Sequence, residues 1–319
     1  MKLKGILVSI FSLLCIIAVP LTAAAYDLPS VNLGFTSFMD GAPPSGPGVY
    51  FTEYVQYWTA DEFEDEISDF DDNFNSVKDL TAWISISQIT YQSDTEVILG
   101  GKWGIDVLIP YVSLDLAHIT PEPPEDNGSG LGDIWVGPYL QWDPIMGKKG
   151  PKFMHRLSLG FMLPTGDYDQ NKELNQGSNY FSFNPYWAAT YFVTPKWTAT
   201  TRIYYLWNDK NDEPNRRDVA GGVREVQAGQ AIHINFATAY EVMPGKLRLG
   251  LNGYYLKQIK ESEKDGVKIS GKEKIMALGP GMIYSFNKDA HLFLNTYIER
   301  EARLRPEGER VTLRFVYHF

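Results

Sequence analysis

Five histidines are the first residues to weigh for chemistry: His118, His155, His233, His291 and His318. A metal centre needs ligands at close spacing, such as two His four apart on a helix, and none of the five is placed that way. No Ser stands in a G-x-S-x-G turn, so the nucleophile elbow of acyl-transfer enzymes is missing. A barrel phospholipase or protease needs a Ser/His or Asp/His pair meeting at the rim, and no spacing selects one. The run Asp61–Asp72 carries eight carboxylates in twelve positions but lacks the glycine and terminal glutamate of an EF-hand loop. It reads as a solvated outer loop, bridged by divalent cations to lipopolysaccharide phosphates. The residues thus point away from an enzyme, a cofactor or a resident metal.

The elements that carry these residues are strands. The chain has 319 residues, of which 14% are aromatic, with 28 Gly beside them. That mixture favours strands and tight turns. The net charge of −10 leaves no basic surplus for nucleic acid. Residues 1–25 read as a signal peptide: Lys2 and Lys4, an apolar run from Ile6 to Val19, then Ala23-Ala24-Ala25. The single cysteine, Cys15, falls inside that run, and Leu14 before it argues against a lipoprotein. No later stretch is long and apolar enough to span as a helix, so a membrane form must be a closed barrel.

Period-two alternation runs through most of the chain. Val311, Leu313, Phe315, Tyr317 and Phe319 share one face of the last strand, and Thr312, Arg314, Val316 and His318 the other. The same pattern holds around Leu157–Leu163, Trp197–Trp207, Ile232–Tyr240, Leu247–Tyr255 and Leu292–Ile298. Aromatic and aliphatic side chains fill one face while Arg, His and Glu occupy what would be the core of a soluble sandwich. A lipid-facing exterior around a polar lumen accounts for both faces. About twelve strands are expected between residues 49 and 319, joined by short turns at one end and long polar loops at the other.

This register sends Arg156, Arg202, His233, Arg248, Glu299 and Arg314 into the lumen as a charged network, with Trp135, Tyr139, Tyr204, Tyr254 and Tyr297 as an amphipathic aromatic lining. Structural pairing in a filled barrel is the leading reading of the charges, ahead of selectivity. Five prolines fall inside expected strands: Pro110, Pro138, Pro164, Pro185 and Pro280. Proline offers no ladder hydrogen, so each marks a bulge near the rim or a lateral seam for hydrophobic molecules. Residues 26–48, Pro/Gly-rich at their end and apolar at their start, read as a lumen plug or a periplasmic tail. The barrel proper is residues 49–319.

Several short motifs occur in order: Gly132-Asp-Ile-Trp-Val-Gly-Pro-Tyr139, Leu163-Pro-Thr-Gly-Asp-Tyr-Asp169, Asn184-Pro185, Arg305-Pro-Glu-Gly308 and the leading Pro43-Pro-Ser-Gly-Pro-Gly48. Together they resemble the outer-membrane family labelled "MetA-pathway of phenol degradation", over nearly the whole chain after residue 25. The resemblance implies a twelve-stranded barrel, an N-terminal segment occluding the lumen, and uptake of hydrophobic, often aromatic, compounds. It implies no phenol chemistry.

The expectation is an all-β, single antiparallel transmembrane barrel in the cell outer membrane, passing small, mostly hydrophobic ligands. Its partners would be outer-membrane lipid and lipopolysaccharide, and the barrel-assembly machinery through the C-terminal Phe319. The competing readings are a general hydrophilic diffusion porin and a filled structural or enzymatic barrel without transport.

Overall fold

A computed structural model describes residues 28–43, 45–64, 77–118 and 125–319. The signal peptide and most of the acidic run 61–72 lie outside the described residues.

Twelve antiparallel strands close into one barrel. They are β1 (Gly48–Glu64), β2 (Val77–Ile98), β3 (Gly101–His118), β4 (Ser129–Leu131 and Ile134–Gln141), β5 (Gly150–Ser158 and Phe161–Leu163), β6 (Ser182–Phe183 and Tyr186–Phe192), β7 (Trp197–Asn208), β8 (Ala231–Met243), β9 (Leu247–Gln258), β10 (Lys274–Ser285), β11 (Ala290–Arg303) and β12 (Arg305–His318). Each pairs with its sequence neighbours, and β1 closes on β12 through Tyr50–His318 to Ala60–Gly308. Closure satisfies the backbone donors and acceptors that an open edge would leave bare in lipid. Among the described residues no helix is long and apolar enough to cross a membrane; the one helix is Arg216–Ala220.

The alternation read from the sequence is realised as an apolar exterior. Trp197, Ile203, Tyr205, Leu249, Leu251, Val311 and Leu313 are exposed on the outside. Their neighbours Thr198, His233, Asn235, Asn252, Thr312 and Arg314 are buried within. Short turns such as Pro195-Lys196 and Pro244-Gly245 gather at the end that holds the C-terminus, the periplasmic end of such barrels. Long loops gather at the other end, where Lys210–Asn211, Val226–Gln227, Glu263–Lys264 and Val267–Lys268 form a small four-stranded sheet.

β4, β5 and β6 are each broken once, and the breaks adjoin. Between β3 and β4 the ladder is interrupted at Pro110 and Gly132–Asp133, between β4 and β5 at Gly137–Pro138 and Leu159–Gly160, and between β5 and β6 at Gly160 and Asn184–Pro185. One backbone bond spans each interruption: Gly132 N–H to Pro110 O, Leu159 N–H to Pro138 O and Asn184 N–H to Gly160 O. The wall is kinked but closed there. Of the five prolines expected inside strands, Pro110, Pro138 and Pro280 lie within them. Contrary to the sequence expectation, Pro164 follows the end of β5 and Pro185 sits in the break of β6. At both positions a proline, lacking an N–H, ends a ladder and does not sit inside one.

Candidate functional site

Inside the barrel, residues 28–43 and 45–46 run from the loop end to the turn end, bonded to inward side chains along the way. At the loop end the Leu28 amide donates to Glu273 (3.0 Å). Asn32 donates to the Tyr204 hydroxyl (2.8 Å), and Asn235 donates to Asn32 (2.7 Å) and Thr36 (2.9 Å). Tyr297 donates to the Gly34 carbonyl (3.0 Å), Ser37 to Asn295 (3.0 Å), and the Gly41 amide to Thr190 (2.9 Å). Gly34 has φ +80°, and a Cβ there would meet the Tyr297 ring at 2.6 Å, so this close approach requires glycine. Phe38, 1% exposed, fills the space left by Gly250 and Gly281. Midway along the barrel, Asp40 accepts two bonds from the Arg202 guanidinium, at 2.5 and 2.6 Å. Two parallel N–H···O bonds fix geometry as well as charge.

The residues singled out from the sequence fall into three groups. Arg202, Tyr204 and His233 surround the leader. Arg202 lies over the Tyr186 ring (4.1 Å), and Tyr204 stacks on His233 (4.1 Å, 10°). The Asn184 amide faces the His233 Nε2 at 3.1 Å. Glu299, fully buried, takes donors from Trp58 (2.9 Å), Arg310 (2.8 Å), the Gly308 amide (3.0 Å) and the Tyr254 hydroxyl. Arg156 lies over Tyr139 (4.2 Å) and pairs with Asp106 at 3.5 Å. Asp106 also accepts from Thr90 (2.5 Å) and Gln88 (2.9 Å). Buried charges survive in a low-dielectric interior only when fully hydrogen-bonded in this way.

Two residues stand apart. Arg314 lies against the Phe293 ring at 3.6 Å. Arg248 faces inward but at the rim, bonded to the Lys196 carbonyl (3.1 Å) and to Glu241 (3.4 Å). Sequence reasoning did not name Arg310, Asp106, Gln56 or Asp40. Arg310 was findable, since it stands four positions before Arg314 on the same strand face; Asp40 lies outside any periodic element.

The lumen is not filled evenly. An apolar cavity of about 220 Å³ lies between residues 30–36 and the inner faces of β1–β4. Tyr54, Trp58, Ile84, Ile86, Leu108, Val112, Trp135 and Met162 line it, and Arg202 and Asp106 stand at one side. The Trp135 ring lies where Cβ atoms of Gly137 and Gly160 would stand, 2.1 and 2.6 Å away. The indole therefore covers the β4–β5 break from within. A second, more polar cavity of about 130 Å³ opens among the outer loops, walled from the first by residues 173–176 and Ser30. Outside the membrane span, the Lys172 ammonium holds the Glu125 carboxyl below its ordinary value, and Arg216 adds to this. Among the described residues no group of His, Cys, Asp and Glu could hold a metal ion.

Comparison with known proteins follows this geometry. The crystal structure of an outer membrane channel from Pseudomonas putida F1 is similar, with TM-score 0.71 and 16% identity over 91% of this chain and all of that one. The transport unit of an Escherichia coli autotransporter gives 0.47 and 10% identity over 85% and 90%. A monoaromatic hydrocarbon channel gives 0.41 and 7% over 86% and 89%. No curated protein matches the sequence. The profile of the family described as "Putative MetA-pathway of phenol degradation" matches residues 65–315, and the chain, a closed transmembrane β-barrel, belongs to that family.

Proposed function

We propose that the protein is an outer-membrane channel for small, mostly hydrophobic compounds, aromatic ones among them, and that it carries out no chemistry on them. The observation that carries this reading is the apolar cavity, set in a lumen otherwise occupied by the leader and its polar partners. A pore for hydrophilic solutes needs a continuous wet path, whereas a space lined by Ile, Leu, Trp and Met favours an apolar ring. Capture begins at the polar outer cavity, and the segment 173–176 divides it from the apolar one. Release runs sideways into the bilayer at the β4–β5 break. There Gly137 and Gly160 present no side chains, and turning the Trp135 ring away uncovers the wall. Lipid and lipopolysaccharide surround the barrel in this reading, and Phe319 presents the last strand to the assembly machinery.

The test pairs planar-bilayer conductance with uptake of an apolar aromatic into liposomes. Little ionic current from the intact protein, more current after removing residues 26–46, and faster aromatic uptake by Trp135→Ala would support the reading. Large steady steps from the intact barrel would instead identify a hydrophilic porin. Neither current nor uptake in any form would identify a filled barrel without transport.

A further inference from the structure

Glu53 lies on the outward face of β1, in register with Ser87 on one side and Phe315 on the other. Its carboxylate accepts hydrogen bonds from the Ser85 hydroxyl (2.6 Å) and the Ser87 hydroxyl (2.7 Å), both on the outward face of β2. The depth is fixed by two aromatic pairs on the same wall. Tyr57–Trp83 (4.7 Å) stands two pleat repeats toward the loops, and Tyr91–Trp103 (5.2 Å) about as far toward the short turns. Aromatic rows of this kind mark the two membrane interfaces, so Glu53 sits between them, against acyl chains. Among the described residues, other charged side chains on the outward wall, such as Asp115, Lys257, Lys274, Arg300 and Glu309 toward the loops and Lys152 toward the turns, stand nearer the strand ends. An acidic group at this depth costs stability and signals a use.

We propose that Glu53, Ser85 and Ser87 form a lipid-side binding site for a bilayer-dissolved amphiphile with an apolar body and a hydrogen-bond donor, a hydroxyl or an amine. Acyl chains bring no donor. A second copy meeting this face across a two-fold axis would bring carboxylate against carboxylate, with no basic side chain at the same depth among the described residues. A small donor-bearing solute completes the carboxylate's unused lone pairs, and Phe315 and Val55 flank its apolar body. Ser87 is in register with Ile109, beside the Pro110 interruption of the wall, so the site is one strand from the kink. It stands whether or not the inner cavity conducts.

Membrane carboxylates facing lipid react with dicyclohexylcarbodiimide, and mass spectrometry of peptides locates the adduct. In the full chain refolded into liposomes, Glu53 should be modified and Glu53→Gln should lose that adduct. Para-cresol should slow the modification several-fold, while para-xylene, matched in shape but without a donor, should leave it unchanged at equal membrane concentration. Ser85→Ala/Ser87→Ala should reduce the protection by para-cresol. Equal protection by both solutes, protection by neither, or no adduct at Glu53 in a folded barrel would each overturn the site.

Discussion

The wall of β6 to β12 and the wall of β1 to β4 solve the same closure problem with opposite chemistry. On the first, Thr190, Thr200, Arg202, Asn235, Asn295 and Tyr297 hydrogen-bond the leader, and little space remains. On the second, Gln56 and Gln141 also bond the leader, but Leu80, Ala82, Ile84, Ile86, Leu108 and Val112 face an apolar space, while Ser85, Ser87 and Glu53 face outward. A barrel wall need not be polar within and apolar without along its whole circumference. Its inner chemistry follows what lies in the lumen beside it: mostly a backbone with donors and acceptors to satisfy on one side, mostly apolar space on the other.

The leader offers the largest break of this contrast. Deleting residues 26–46 removes the partner of the polar wall and should convert a nearly closed barrel into one with clear conductance steps. Next, Asp40→Ala strands the Arg202 guanidinium in the interior, a loss of about 3–5 kcal/mol, read as a lower unfolding temperature in detergent. Ile84→Ala, on the apolar wall, lines an existing space and should cost less, about 1–2 kcal/mol, below the range for a fully packed site. If Ile84→Ala proved the more damaging, the division into a packed and an open half would fail. Leu108→Trp fills the space and should cut aromatic uptake several-fold without restoring or removing conductance. The smallest effect lies in the turn between β10 and β11. Hydrogen bonds from His318 and Lys288 hold the Asp289 carboxyl below its ordinary value. Its contribution is therefore complete above the unfolded value of about 3.9 and is lost as pH falls through the folded one. Asp289→Asn should slightly lower the unfolding temperature at pH 7, with the difference shrinking as pH falls through the folded carboxyl's lowered range.

Much of this was legible in the chain. The strands around Leu157–Leu163, Trp197–Trp207, Leu247–Tyr255 and Val311–Phe319 announce themselves because lipid on one side and polar contacts on the other impose a clean period of two. Residues 80–87 resist the same reasoning. Leu80, Ala82, Ile84 and Ile86 form the apolar set, and the rule that apolar means outward would turn this strand inside out. Their inward placement depends on a cavity assembled from residues 30–36 and β3, a non-local fact that no window of sequence contains. Asp40 was equally hidden: its partner lies 162 positions away. The kinks were half legible, since proline marks where a ladder stops but not on which side of the stop it will sit.

The leader reaches from the loop end to the turn end before β1 begins, and its hydrogen bonds join residues as much as 263 positions apart. This sets an order of events. A cylinder already closed by β1 and β12 would demand that the chain be threaded through a hole nearly its own width. The sheet must instead curl around the leader, with the joining of first and last strands as the final step. The segment thus serves as a mandrel for the wall, and its polar side chains are a timing device as much as a stopper: lesions in it should be felt first as slow assembly.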